Sequence, residues 1–288
     1  MEKRIPPCLG SAEDCPDDCS PRNLLGNLPT YRPMISPPTA RLLKRTAQLG
    51  AATLGLELAI AVLWPAPPQD QFDPSGTYGT APGAPLRVAA VGDSTLTAPG
   101  VGDGSEIWVA EVCRRLAEST RRAVELGSFG VGGATAAQVA KTQLASALAF
   151  EPDLALVSVG ANDVIRGVRW SRLVSDLDRI VSAFVESGAV VVTSGVGDLG
   201  SIPRLVPPLR QMATALGRRA DRAHDVVADR HKAVKALQWD WAAREFRTRS
   251  DIWSLDRFHP NREGHLIWAD VCWEALQPLI PGLEEPRN

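Results

Sequence analysis

The spacing of apolar positions changes character near residue 86. Beyond it, short apolar runs alternate with stretches of helical period. Leu86–Val91 is an apolar run closed by Gly92, as expected of a buried strand. Ile107, Val109, Val112, Cys113 and Leu116 fall on one side of a helix predicted over 106–120. The same alternation predicts strands at 123–126, 154–159 and 189–193. It predicts helices at 135–148 and 172–186, a long one from Pro207-Pro208 through Ala223, and a last one over 261–280. Strand and helix in repeated alternation imply an α/β fold, a central parallel sheet covered on both faces. The stretch 224–254 is less regular. Val226–Val227 is a candidate final strand, and 242–246 reads as helical. Trp239 and Trp241 read as packing residues, with an aromatic wall against substrate as the other reading.

Ahead of residue 86 the pattern breaks down. Of 23 prolines, 14 fall within residues 1–85. Residues 1–40 therefore read as an irregular, proline-rich tail. Cys8, Cys15 and Cys19 sit there without a nearby histidine or fourth cysteine, so incidental thiols are preferred over a metal knuckle. Cys113 and Cys272 lie in apolar helical patterns and are expected to be buried, and the five cysteines make no disulfide framework. Residues 41–64 form a nearly proline-free apolar helix behind the basic Arg41, Lys44 and Arg45. A bilayer span needs about 20 apolar residues and tolerates a central carboxylate such as Glu57 poorly. A core-capping or amphiphilic helix, in a cytoplasmic protein, is favoured over an anchor holding an external catalytic domain. Residues 65–85 read as a linker and 86–284 as the main domain.

Charge narrows the partners. The chain has 288 residues, 31 Lys plus Arg and 33 Asp plus Glu, for a net charge of -2. Nothing in that balance favours nucleic acid.

Ligands of an open parallel sheet gather at the carboxyl ends of its strands, and the glycine and polar positions fall there. Gly92-Asp93-Ser94 follows the first strand, Gly130 to Gly133 the second, and Gly160-Ala161-Asn162-Asp163 the third. Asp256-Arg257-Phe258-His259 precedes the last helix. A serine hydroxyl is a weak nucleophile and needs a base; His259 can take its proton, and Asp256 can hold the other ring nitrogen. A developing oxyanion needs fixed donors, available from the Ser94 N–H, the Gly133 N–H and the Asn162 amide. Asp93, Gly160 and Asp163 are expected to support these loops. No metal or organic cofactor is called for.

These four blocks, in this order, resemble the GDSL/SGNH hydrolase superfamily, with similarity to actinobacterial esterase-like members that carry an apolar segment before the domain. GDS is matched by residues 92–94, the second-block glycine by Gly133, GxND by residues 160–163 and DxxH by residues 256–259. The resemblance spans about 86–280. It implies a three-layer α/β/α sandwich like flavodoxin, a Ser94–His259–Asp256 triad and an oxyanion hole of Ser94, Gly133 and Asn162. The implied activity is lipase-like ester hydrolysis on small-molecule, lipid or carbohydrate esters. Deacylation, acyl transfer and a non-catalytic binding module on the same fold are its alternatives. One departure is that Ser128 and Phe129 stand where the second block commonly carries an asparagine.

Residues 195–200 match GxGxxG literally, but they follow the fourth strand and run into Pro203, so they read as a loop on the cleft rim. His224 and His231, crowded by charged residues, read as solvated, and His265 as a surface or supporting residue.

Overall fold

Consecutive residues of the first long strand point to opposite sides, and both sides are apolar. In the computed structural model, which describes residues 37–63 and 69–285, Leu86, Val88 and Ala90 join one core while Ala89 and Val91 join another. The strand is therefore buried on both faces, as a central strand of a parallel sheet must be. Among the described residues six strands run β1 (Gly76–Tyr78), β2 (Leu86–Gly92), β3 (Val124–Ser128), β4 (Leu154–Ser158), β5 (Val190–Thr193) and β6 (Val234–Lys235). Their order in the sheet is β1-β3-β2-β4-β5-β6, parallel except for β1, which runs antiparallel to β3.

Helices α1 (Pro37–Val62), α2 (Ser94–Thr97), α3 (Trp108–Thr120), α4 (Ala136–Thr142) and α5 (Leu144–Ala149) come first. Then follow α6 (Ala161–Ile165), α7 (Trp170–Glu186), α8 (Leu209–His231), α9 (Trp241–Thr248) and α10 (Arg262–Leu276). Helices α3 and α10 cover one face of the sheet; α4, α5, α7 and α8 cover the other. This is the layered α/β architecture that the alternation predicts.

The chain divides into two units at Gly50. Of the first, residues 37–50 are described, and they are helical. Within the second, the Glu57 carboxylate accepts the Leu209 N–H at 3.1 Å, capping the first turn of α8. The charge that interrupts the apolar run thus has a structural partner. No helix among the described residues is long and apolar enough to cross a membrane. Cys8, Cys15 and Cys19 lie outside the described residues; Cys113 and Cys272 are buried.

Four expectations need correction. Gly76–Tyr78, inside the stretch read as a linker, forms β1. The helix predicted over 135–148 is two, meeting at Gln143, whose φ of -110° departs from the helical value and whose side chain binds Gly92 of β2. Val226–Val227 is not a strand but part of α8, and the edge strand is β6, paired with Val192 and Thr193. His224 is fully buried rather than solvated. Arg222 faces outward, while Ala220, Asp221, Ala223 and Val227 are buried with it at helical spacing.

Candidate active site

Gly92 ends β2 where backbone meets backbone. A Cβ there would lie 2.0 Å from the Ser158 carbonyl oxygen, so only glycine fits between β2 and β4. Gln143 closes the same point from beneath: its Oε1 accepts the Gly92 N–H and its Nε2 donates to the Gly92 carbonyl, each at 2.8 Å. The chain then turns sharply. Asp93 caps the four-residue α2 by accepting the Thr95 N–H at 3.0 Å, and Ser94 opens that helix. The Asp93 carboxylate also accepts the Asn162 amide at 3.1 Å. Burial, only partly offset by these hydrogen bonds, pushes its pKa up to about 6.

Asn162 and Asp163 lie in α6, directly after Gly160, which takes φ +123°. Asp163 is buried and accepts the Ala136 N–H at 3.0 Å, tying this loop to the start of α4. Gly133 takes φ +77°, a conformation that favours glycine, and its carbonyl accepts the Arg166 guanidinium at 2.8 Å. Burial raises the Asp163 pKa above the ordinary carboxylate value.

The final block folds around one carboxylate. Asp256 Oδ1 accepts the Ser254 hydroxyl at 2.6 Å and the Phe258 and His259 N–H groups at 2.8 and 2.9 Å. Its Oδ2 meets His259 Nδ1 at 2.7 Å. Against the desolvation that burial imposes, these bonds hold the Asp256 carboxyl far below the usual range. An ionised Asp256 makes Nδ1 the donor, which leaves His259 Nε2 as an acceptor. Arg204 adds a brace that sequence reading missed. Its Nε donates to the Asp256 carbonyl, its Nη2 lies 3.9 Å from Asp256 Oδ2, and it stacks over the Phe258 ring.

Asp93, Ser94 and His259 line one cleft, which encloses about 1010 Å³ of empty space, part of it open to solvent. Asp256 stands behind His259. Gly133 and Asn162 are not on the cleft wall. The 195–200 loop is on it, through Gly195 to Leu199. Trp239 braces that loop by donating its indole N–H to the Val196 carbonyl at 2.9 Å, and Trp241 donates to Glu274; neither lines the cleft. His265 lines it and is buried, its Nδ1 accepting the Trp108 N–H at 3.3 Å. Burial first, then the neighbouring His259, lowers its pKa to about 3. Sequence reading also missed Gln143, although a lone amide among Val139, Ala140 and Ala147 on an inward face signalled a buried polar contact. Among the described residues, no group of three or more His, Cys, Asp or Glu side chains is placed to hold a metal ion.

A parallel sheet sandwiched by helices, with these loops at its carboxyl edge, defines an SGNH-type hydrolase fold. The chain belongs to the GDSL-like Lipase/Acylhydrolase family, which it matches over residues 90–267. It is 29% identical over 201 residues to the GDSL-like esterase Rv1075c of Mycobacterium tuberculosis, covering 68% of this chain but 63% of that protein. Among solved structures, TesA superposes with a TM-score of 0.56 at 24% identity, over 67% of this chain and 99% of that one. An acetyl-xylooligosaccharide esterase from Geobacillus gives 0.54 at 18% identity, over 68% and 95%. At these identities the two structures establish the fold alone.

Proposed function

We propose that the chain is a serine hydrolase that cleaves carboxylic esters through an acyl-enzyme on Ser94. The observation that carries this reading is the His259–Asp256 pair at 2.7 Å, with His259 and Ser94 on the wall of one cleft. Ser94 Oγ attacks the ester carbonyl while His259 Nε2 takes the hydroxyl proton, and Asp256 stabilises the resulting imidazolium. On this reading the Ser94 N–H on the cleft wall is the first oxyanion donor, and the Gly133 N–H and the Asn162 amide, set back from that wall, are the further donors. Collapse breaks the ester C–O bond, and His259 returns the proton to the leaving alcohol. Water, deprotonated by His259, then attacks the acyl-enzyme and releases the acid. Asp93, Gly160 and Asp163 position these groups, and residues 86–284 form the hydrolase domain.

The test is hydrolysis of p-nitrophenyl esters by wild type and Ser94→Ala. Wild type is expected to turn over and to be labelled by a fluorophosphonate, and Ser94→Ala to lose at least about 10³-fold in rate. Unchanged activity in Ser94→Ala would overturn the mechanism. Lipid and carbohydrate esters are the natural substrate classes on this reading.

On the same reading the segment 41–64 is an amphiphilic helix of a cytoplasmic enzyme, with Glu57 bound to the Leu209 N–H while Leu42, Leu43, Leu49, Leu56, Leu58 and Ile60 are exposed. Full-length protein mixed with phosphatidylglycerol vesicles should then remain in the supernatant. Co-sedimentation would favour a membrane-associated segment instead.

A further inference from the structure

The cleft beside Ser94 is walled by two apolar surfaces that differ in origin. Phe246, Trp253 and Trp268 come from α9, the loop after it and α10. Their rings pack on one another, with Phe246 centred 5.5 Å from Trp253 and 5.7 Å from Trp268. Val196, Leu199 and Ile202 come from the loop after β5. That loop is fixed from outside: Trp239 holds the Val196 carbonyl and Asp221 the Val196 N–H at 3.0 Å. Both walls are thus braced by contacts within the protein.

Several polar groups on the cleft wall have their bonding directed into the protein. Ser158 Oγ meets Thr95 Oγ1 at 2.7 Å and accepts from Ser194 Oγ at 2.9 Å, so these three hydroxyls are bonded to one another in a chain. The Asp198 carboxylate accepts the Gly200 N–H and the Arg247 guanidinium. His265 Nδ1 is taken by the Trp108 N–H. A sugar or other polyhydroxyl group entering here would give up its water for few new hydrogen bonds, which is costly. An alkyl chain loses nothing of that kind and gains from leaving water.

We propose that this cleft is the acyl-chain pocket and selects apolar acyl groups longer than acetyl. The proposal rests on ester hydrolysis at Ser94. The wall residues Ile202 and Ala243 are its specificity determinants, since larger side chains at either position narrow the space between the two surfaces.

The experiment compares kcat/KM for p-nitrophenyl hexanoate and acetate, both used below aggregation, in wild type, Ile202→Trp and Ala243→Leu. Each methylene fully buried raises kcat/KM by up to about fourfold. Wild type should therefore prefer hexanoate by at least about tenfold, and each variant should lower that ratio at least about fivefold. Fluorophosphonate labelling of Ser94 in each protein reports a folded, reactive site. The two variants lie on separate elements, so misfolding of one leaves the other informative. A labelled wild type that prefers acetate overturns the acyl pocket, as does a hexanoate preference untouched in labelled variants. A folded wild type that neither labels nor hydrolyses any ester overturns the hydrolase reading itself.

Discussion

The Asn162 amide donates to the Asp93 carboxylate across 3.1 Å, so the residue before Ser94 holds the loop that follows β4. This contact links the first and third motif blocks across the carboxyl ends of β2 and β4. Its acceptor is buried and titrates near 6, because burial disfavours the charge more than the hydrogen bonds from Thr95 and Asn162 favour it. An unfolded aspartate titrates near 3.9. Between about pH 4 and 6 the folded chain therefore holds more protons on Asp93 than the unfolded chain does. Stability from this group is complete below that window and is lost as pH rises through it.

Asp93→Asn removes the titration and keeps an acceptor for the Thr95 N–H. Its melting temperature, measured relative to wild type, is expected to climb from pH 4 to pH 6 and then level off. The change across the window corresponds to about 2–3 kcal/mol. A difference that stays constant from pH 4 to 7 would assign the ionisation to another carboxylate.

Asp256→Asn tests the other carboxylate. Asparagine can still accept from Ser254 and the two backbone N–H groups, so the loop survives. It offers His259 Nδ1 no anion and allows the wrong tautomer. Steady-state kinetics should show kcat reduced by on the order of 10³–10⁴, with KM changed far less. A loss below tenfold would remove Asp256 from the proposed triad.

Gln143→Leu addresses the joint beneath Ser94. Leucine fits the apolar face of Val139, Ala140 and Ala147 but leaves the Gly92 N–H without its 2.8 Å acceptor. Urea unfolding should show a loss of about 2–3 kcal/mol with an unchanged m-value. A variant as stable as wild type would mean that water or a shifted backbone satisfies Gly92.

The parts of this fold visible in the sequence are the local ones. Runs such as Leu86–Val91 announce a strand buried on both faces. The blocks at 92–94, 160–163 and 256–259 are each a single turn of chain, so their side chains are neighbours by construction. The parts missed depend on partners far along the chain. Gln143 serves Gly92, Arg204 braces Asp256, and Asp221 holds Val196; none of these pairs leaves a periodic trace. β6 has two residues, paired with Val192 and Thr193, too short a run to leave an alternating pattern. The cleft wall is hidden for the same reason: Phe246, Trp253 and Trp268 come together only through the packing of α9 against α10.

Lys235, the second residue of that strand, carries the last prediction. Its ammonium lies 2.7 Å from Asp221 and 2.9 Å from Asp225, and Asp221 also accepts the Val196 N–H at 3.0 Å. Gly195 packs so closely here that a Cβ would sit 2.4 Å from the Asp221 carboxylate. Asp221 is buried, and desolvation raises its pKa despite the lysine. Lys235→Met removes the nearest cation and leaves a buried carboxylate whose charge is uncompensated, which should cost about 3–5 kcal/mol. Adding Asp221→Asn to Lys235→Met removes that charge while keeping an acceptor for Val196, so the double variant should recover most of the loss. Urea unfolding of the wild type, both single variants and the double variant gives the coupling directly. A double variant no more stable than Lys235→Met alone would show that the lysine acts through packing, and that the loop on the cleft rim does not depend on the ion pair.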